Sequence, residues 1–433
     1  MDCPVSMTLP SHRFILAVFI VMITLCGCAS ASTPAWTIEK KVSAIYPSYD
    51  GKTIVASGNN LLYMANDGTI AWMDKPYDYI DVAGDGEYVI AAGPYATLYD
   101  RKGNKVWENE NTGDSASNDE PLKVKISRDG NLILTYTSVK FHTWSISGGL
   151  VGANTSYLVT EGNAYFSDVA MSPSGDEILF FTVSGIYAVN RTGAPISKNE
   201  DDWECRIGTL ADDGRKAVCA YDNRLAYGHT SGVQLWDKRI ASDSITSIAV
   251  SSGTDPRIVA GSLDGYVYVV DATGDVLWNQ KLFTYRVDQP ITVSITRDGN
   301  TICARSLDTK TMKGAIFLFD RNGNQIFSTE EEDAVGTLSP DGSLLLIGTE
   351  DDLSAYALAT LTSAPLAAGE TETVPATAAE TTIAAAASVS PAASAVTGTV
   401  AATAVPPTTP PAPVLPALAL VACVIVAAIV VRQ

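Results

Sequence analysis

Histidine is almost missing from this chain, with three in 433 residues. His142 and His229 are the two within its central part, and neither belongs to a His-Glu-x-x-His zinc pattern. No Gly-x-Ser-x-Gly nucleophile elbow and no Walker phosphate loop is present. The common zinc-hydrolase, serine-hydrolase and nucleotide-hydrolysing classes therefore lack their reacting groups, and no catalytic residue, metal or cofactor is expected. Basic residues are also short: 29 Lys+Arg against 48 Asp+Glu give a net charge of −19. Binding a phosphate backbone needs clustered Lys and Arg that release counterions, so nucleic acid is not an expected partner. Of seven cysteines, Cys3, Cys26, Cys28 and Cys423 lie near the ends, and the remaining Cys205, Cys219 and Cys303 contain no adjacent pair. The acidic runs Glu200-Asp-Asp202 and Glu330-Glu-Glu-Asp333 lack the regular Asp-x-Asp-x-Asp-Gly spacing of a calcium loop and read as solvated loops.

What the chain has in quantity is β-hairpins. The clearest is Gly265-Tyr-Val-Tyr-Val-Val-Asp271-Ala-Thr-Gly274-Asp-Val-Leu-Trp278, an alternating β-branched and aromatic strand, a polar corner, and a return strand ending in Trp. Weaker copies recur. The turn joining the first two strands of each copy is an Asp/Ser-Gly corner, found at Asp50-Gly51, Asp85-Gly86, Asp129-Gly130, Ser174-Gly175, Asp213-Gly214, Ser252-Gly253, Asp298-Gly299 and Asp341-Gly342. These corners recur roughly every 42 residues, the length of a four-stranded propeller blade. Eight corners predict an all-β, eight-bladed propeller over residues 35–360, with seven blades as the alternative count.

A second series, the corner between third and fourth strands, reads Asn66-Asp-Gly68…Trp72, Asp100-Arg-Lys-Gly103…Trp107, Asn190-Arg-Thr-Gly193, Asp271-Ala-Thr-Gly274…Trp278 and Asp320-Arg-Asn-Gly323…Phe327. The third repeat, with Trp144-Ser-Ile-Ser-Gly148-Gly149, is ragged, and the fifth, through Leu235-Trp236-Asp237, shows no clean corner. The last repeat supplies three strands and no fourth. Trp36, in Ala35-Trp36-Thr37-Ile38, has the composition of a repeat's tail with nothing before it. Because a closed ring leaves no free sheet edge, this segment is expected to complete the last blade, pairing near residues 353–358. Trp36, Trp72, Trp107, Trp278 and Phe327 are read as packing aromatics between blades.

The ends have a different character. Residues 14–25 form an apolar run of 12, the length of a signal-peptide core and too short to span a bilayer. Leu25-Cys26-Gly27-Cys28 resembles a lipobox with Cys28 as the lipid-bearing residue, while Ala29-Ser30-Ala31 offers an ordinary cleavage site. Residues 361–413 are Ala, Thr, Pro, Ser and Val with almost no charge or aromatics, a composition for a disordered and O-glycosylated stalk. Residues 414–431 are 18 uncharged residues, about 27 Å of helix at 1.5 Å per residue, enough to span as a transmembrane helix with Arg432 as its anchor. Asn154-Thr-Ser156 and Asn190-Arg-Thr192 are glycosylation sequons. Cys205 and Cys219 flank the Asp213-Gly214 turn nearly symmetrically, which suits either a disulfide or two buried thiols, and Cys303 reads as a buried thiol within a strand.

Asp271-Ala-Thr-Gly274-Asp-Val-Leu-Trp278 resembles the pyrroloquinoline-quinone-type (PQQ-like) propeller repeat, whose Trp packs between neighbouring blades. Val250-Ser-Ser-Gly253, Leu338-Ser-Pro-Asp-Gly342 and Leu235-Trp236-Asp237 are more similar to WD-repeat blades. The stalk, apolar helix and terminal basic residue resemble the C-terminal anchors of archaeal surface proteins. These resemblances imply fold, whereas function must come from a site. The expectation is a membrane-anchored extracellular propeller that binds a protein or glycan ligand through its loops, at 108–121, 198–204, 307–313 and 329–333, on the face opposite the stalk. A structural cell-envelope component is the alternative, with a quinoprotein-like oxidoreductase or hydrolase third.

Overall fold

The computed structural model describes residues 33–109, 122–154, 165–199, 204–283, 289–308 and 313–361. Its strands form eight four-stranded antiparallel sheets. Seven are consecutive in sequence: blades 1 to 7 are residues 42–74, 79–109, 123–154, 168–199, 207–239, 245–281 and 292–332. Blade 8 takes three strands from residues 335–357 and its fourth from Trp36–Ile38. The register is Trp36 opposite Ala355, Thr37 opposite Ser354 and Ile38 opposite Leu353. The eight-blade count and the closure by the N-terminal strand thus both hold, and every described sheet has four strands.

The burial of each strand follows from its place in the blade. The second strand of blade 6, Ile258–Ser262, is buried throughout, and the third, Tyr266–Val270, nearly so, because both faces of the sheet meet a neighbouring blade. Its outermost strand, Val276–Lys281, is largely exposed apart from Trp278. No single core sits at the centre. Eight apolar clusters lie one at each blade interface, such as Leu134, Phe141, Phe180 and Tyr187 between blades 3 and 4, and Ile54, Leu62, Leu346 and Leu353 between blades 1 and 8. Removing apolar surface from water drives folding, so each blade is stable only between two neighbours and the last interface must close the circle.

The outer rim repeats one contact. The ring of Trp72 covers Gly103 of the next blade, and its indole N–H donates to the Arg101 carbonyl oxygen at 3.2 Å. Trp107 does the same with Gly148 and Ile146, and Trp278 with Gly323 and Arg321. Trp36 joins this series from the far end of the chain: it covers Gly68 of blade 1 and donates to the Asn66 carbonyl oxygen at 2.8 Å. The closing strand therefore belongs to blade 8 by pairing and holds blade 1 by its side chain. Phe327 takes the corresponding place in blade 7, where it meets Tyr356 with ring centroids 5.6 Å apart in a blade without a corner glycine.

The fifth repeat corrects the sequence reading. Its corner is regular: the Gly232 N–H donates to the His229 carbonyl oxygen at 2.9 Å, the bond that Gly274 makes to Asp271 at 3.0 Å. His229 merely replaces the usual Asp. Trp236, absent from the expected packing aromatics, covers Gly274 and donates to the Ala272 carbonyl oxygen at 2.8 Å.

Each blade's first strand runs toward the Asp-Gly corners, and the third-to-fourth corners lie at the same end. We call this the corner face. The turns between second and third strands and the links from blade to blade lie at the other end, the connection face. Trp36 enters beside Ala355, and the helical turn Leu358–Leu361 leaves next to Ser343, whose carbonyl oxygen accepts from the Leu358 N–H at 3.0 Å. Both ends of the ring therefore emerge on the corner face.

Candidate functional site: a plugged channel and a free face

One residue of each Asp/Ser-Gly turn takes the equivalent position on the inner rim of the corner face: Tyr49, Gly84, Arg128, Pro173, Asp212, Ser252, Arg297 and Pro340, in blade order. Backbone bonds run from blade to blade along this rim. The Gly84 N–H donates to the Arg128 carbonyl oxygen at 2.8 Å, and the Arg297 N–H to that of Pro340 at 2.9 Å. Tyr49 of blade 1 reaches across the channel to blade 5, where its hydroxyl donates to Asp212 with both carboxylate oxygens at 2.7 Å. From the flanking directions come Arg128 of blade 3, 3.8 Å from the Tyr49 ring centroid, and Arg297 of blade 7, at 4.6 Å. Arg128 also pairs with Asp212 at 2.5 Å. An aromatic face attracts guanidinium, and the carboxylate offsets part of the charge, so these four side chains form a plug across the channel mouth. Burial, the largest influence, pushes the Asp212 carboxyl upward. The Tyr49 hydrogen bond and the Arg128 charge outweigh it and hold it below the usual range.

Inside the plug lies a cavity of about 440 Å³ lined by Asp81, Lys125 and Asp168 from blades 2, 3 and 4, with Thr209, Leu210 and Ile248 among the residues of the other wall. Asp81 accepts from the Ile126 N–H of the next blade at 2.9 Å, and Asp168 from the Gly208 N–H at 3.2 Å. Each carboxylate thus bridges one inner strand to its neighbour. Burial raises both carboxyls above their ordinary value, and the Asp81 charge keeps Lys125 protonated. None of these residues carried a sequence signal. Asp81 and Lys125 are 44 positions apart, and only the stacking of equivalent strands brings them together.

The other expected sites have definite places or lie outside the described residues. Cys205 and Cys219 are joined, with Cα atoms 5.5 Å apart, within the span of a disulfide. The 14-residue separation makes the bond worth about 2–3 kcal/mol through the unfolded chain's entropy. Reduction should lower the urea midpoint accordingly, and an unchanged midpoint would remove the bond's role. Cys303 is a buried free thiol, pushed up to about 12 by desolvation, the largest influence, against a lowering Ser294 hydrogen bond. Thiolate is the reactive form, so Cys303 should resist iodoacetamide at pH 8 until urea unfolds the ring. Mass spectrometry of the alkylated chain checks this.

Asn190 is a corner residue whose side-chain oxygen accepts from the N–H groups of Thr192 and Ala194 at 2.9 and 3.0 Å. Asn154 ends a strand, and its side chain lies outside the described set, as do Cys28, the leader, the stalk and the apolar segment at 414–431. The loops at 108–121, 198–204 and 307–313 fall largely outside it as well, whereas 329–332, expected as a loop, is the end of the strand Gln325–Glu332, with Glu330, Glu331 and Glu332 paired to Ala315, Gly314 and Lys313. Among the described residues no group of His, Cys, Asp and Glu has the arrangement to hold a metal ion.

Eight blades of PQQ-like build, closed through the N-terminal strand and docked Trp on Gly, define a closed β-propeller. The chain belongs to the family described as outer membrane protein assembly factor BamB, which matches residues 29–202 and 206–366. Solved structures agree on the fold. BamB from Moraxella catarrhalis is 17% identical over 76% of this chain and 100% of its own, with a TM-score of 0.54. The C-terminal WD40 domain of Sif2 is 15% identical over 75% and 98%, with a TM-score of 0.59. Chaetomium thermophilum Sqt1, bound to the N-terminus of a ribosomal protein, is 12% identical over 73% and 97%, with a TM-score of 0.57. At these identities the likeness is one of fold.

Proposed function

We propose that this protein is a cell-envelope binding scaffold, tethered through its corner face and presenting its connection face to a protein partner. One observation carries the reading: both ends of the ring emerge on the corner face, so a tether at either end leaves the connection face free. That face bears exposed apolar side chains, Tyr95 at 40%, Val183 at 51% and Tyr165 at 61%, the aromatic and aliphatic anchors a protein interface uses. The family description, an assembly factor, supports the same kind of role. The apolar segments at 14–25 and 414–431 supply membrane attachment in this reading, with the ring on the extracellular side and Cys28 as the point of lipidation.

Photo-crosslinking residues placed in the full chain at Tyr95, Val183 and Tyr165, and separately at Asp67 and Asp271 on the corner face, test this in intact cells. Adducts of defined mass are expected from the first set. Adducts confined to the second set, or none, would overturn the orientation.

A further inference from the structure

We propose that the channel behind the plug is a binding site for a neutral polyhydroxylated ligand, a saccharide of one or two rings. Its volume, about 440 Å³, lies within the range of small-molecule pockets. The Lys125 ammonium lines it and has no hydrogen-bond or ion-pair partner among the described residues. An ammonium has three donors and no acceptor, so this one presents its whole donor capacity to the cavity. Asp81 and Asp168 stand on the blades either side. Each is fixed by an amide of the following blade, and a carboxylate has about four acceptor positions, so both retain capacity for a ligand.

The order around this wall is acceptor, donor, acceptor. Lys123, two residues before Lys125 on the same strand, adds a second positive charge acting on Asp168. The charged residues lining the cavity are two acids, Asp81 and Asp168, and two bases, Lys125 and Arg128, so a free ion of either sign finds no excess of the opposite charge. A hydroxyl group both donates and accepts, and vicinal hydroxyls can bridge an ammonium and a carboxylate that do not touch each other. Across the cavity, Leu210 and Ile248 are apolar. Such a surface accepts the C–H face of a sugar ring, and the plug makes the well blind at the corner face. This site is independent of the protein-binding reading, and either can fail alone.

The test uses the full chain in a zwitterionic detergent free of sugar headgroups, probed with D-glucose, D-galactose, D-mannose and maltose by saturation-transfer NMR and calorimetry. At least one sugar should bind. Lys125→Met and Asp81→Asn should each weaken it tenfold or more with an unchanged circular dichroism spectrum, while Glu331→Gln on the rim leaves it unaltered. Should Lys125→Met not fold, the near-isosteric Asp81→Asn carries the same comparison. Absence of binding by all four sugars, or binding indifferent to the channel variants, would overturn the proposal. So would sodium acetate or methylammonium chloride displacing the sugars at lower concentration, because the site would then be ionic.

Discussion

A chain whose closing strand cannot pair is expected to lose the cooperative unfolding of the ring. Trp36–Ile38 contributes only three residues, but three separate interactions depend on them. Their backbone covers the edge of Leu353–Ala357, which would otherwise expose unpaired N–H and C=O groups. Ile38 and Trp36 pack against the cluster between blades 8 and 1. The Trp36 indole also holds the Gly68 corner through its contact and its bond to Asn66. Trp36→Ala should cost about 3 kcal/mol, the lower end for a large aromatic because the side chain is only half-buried. Gly68→Ala is the complementary change from the other side of the same contact. Gly68 sits at φ +86°, and an added Cβ would stand 2.8 Å from the Trp36 ring. The backbone conformation alone costs about 1–2 kcal/mol. The two variants share one contact, so their effects should not add, and a double-mutant cycle in urea unfolding reads the coupling. Deletion of residues 35–38 should broaden the transition and lower its midpoint far more than either. A deletion variant that unfolds as sharply as the intact chain would show that closure is not what holds the ring.

The second large effect is expected at the plug. Tyr49→Ala removes a ring contacted by Arg128 and Arg297 together with its bond to Asp212, and should destabilise by about 3 kcal/mol. Tyr49→Phe keeps the ring and loses only the hydroxyl, so about 1 kcal/mol is expected, discounted because Asp212 is partly solvated. Asp212→Asn leaves two guanidinium groups on one ring without their carboxylate, and it should also alter the response to acid. The Asp212 carboxyl is lowered in the folded state. Its contribution is therefore present above the unfolded value near 4 and is lost as pH falls through the lower folded value. The native chain should lose stability across that window and the Asn variant should lose less. Equal acid limbs for the two, measured by urea midpoints from pH 6 down to pH 3, would contradict the assignment. The corner carboxylates add to the limb in both chains. In Asp100, Asp271 and Asp320 desolvation pushes upward, but bonds from neighbouring N–H groups and side chains prevail and leave each lowered.

The repeat was readable because it is made of local rules. A Gly in a corner is needed where the chain must take a positive φ, as at Gly274 with +79°. A strand buried on both faces must be apolar throughout, as in Tyr266–Val270, and these demands recur with each blade. Trp36 was legible by the same logic: an unmatched tail at one end answered a missing strand at the other. The fifth blade was harder to read because His229 stands where Asp usually does, and the turn tolerates it since the bond that closes the corner is between backbone groups. Counting three residues on from Gly232 does not lead to Trp236; counting four does, as from Gly274 to Trp278, and that spacing was the available signal.

The channel had no such signal. Tyr49 and Asp212 are 163 positions apart, and neither lies in a pattern that distinguishes it from other residues following a strand. Their meeting is decided by ring closure, which sets blade 1 across the axis from blade 5. The same holds for Asp81, Lys125 and Asp168. By itself the sequence determined the blade, its number of copies and the means of closing them, because turns, strand alternation and a docking Trp act over a few residues. Only the tertiary structure decided which side chains share the axis, because their proximity depends on the angle each blade makes with the next around a complete circle.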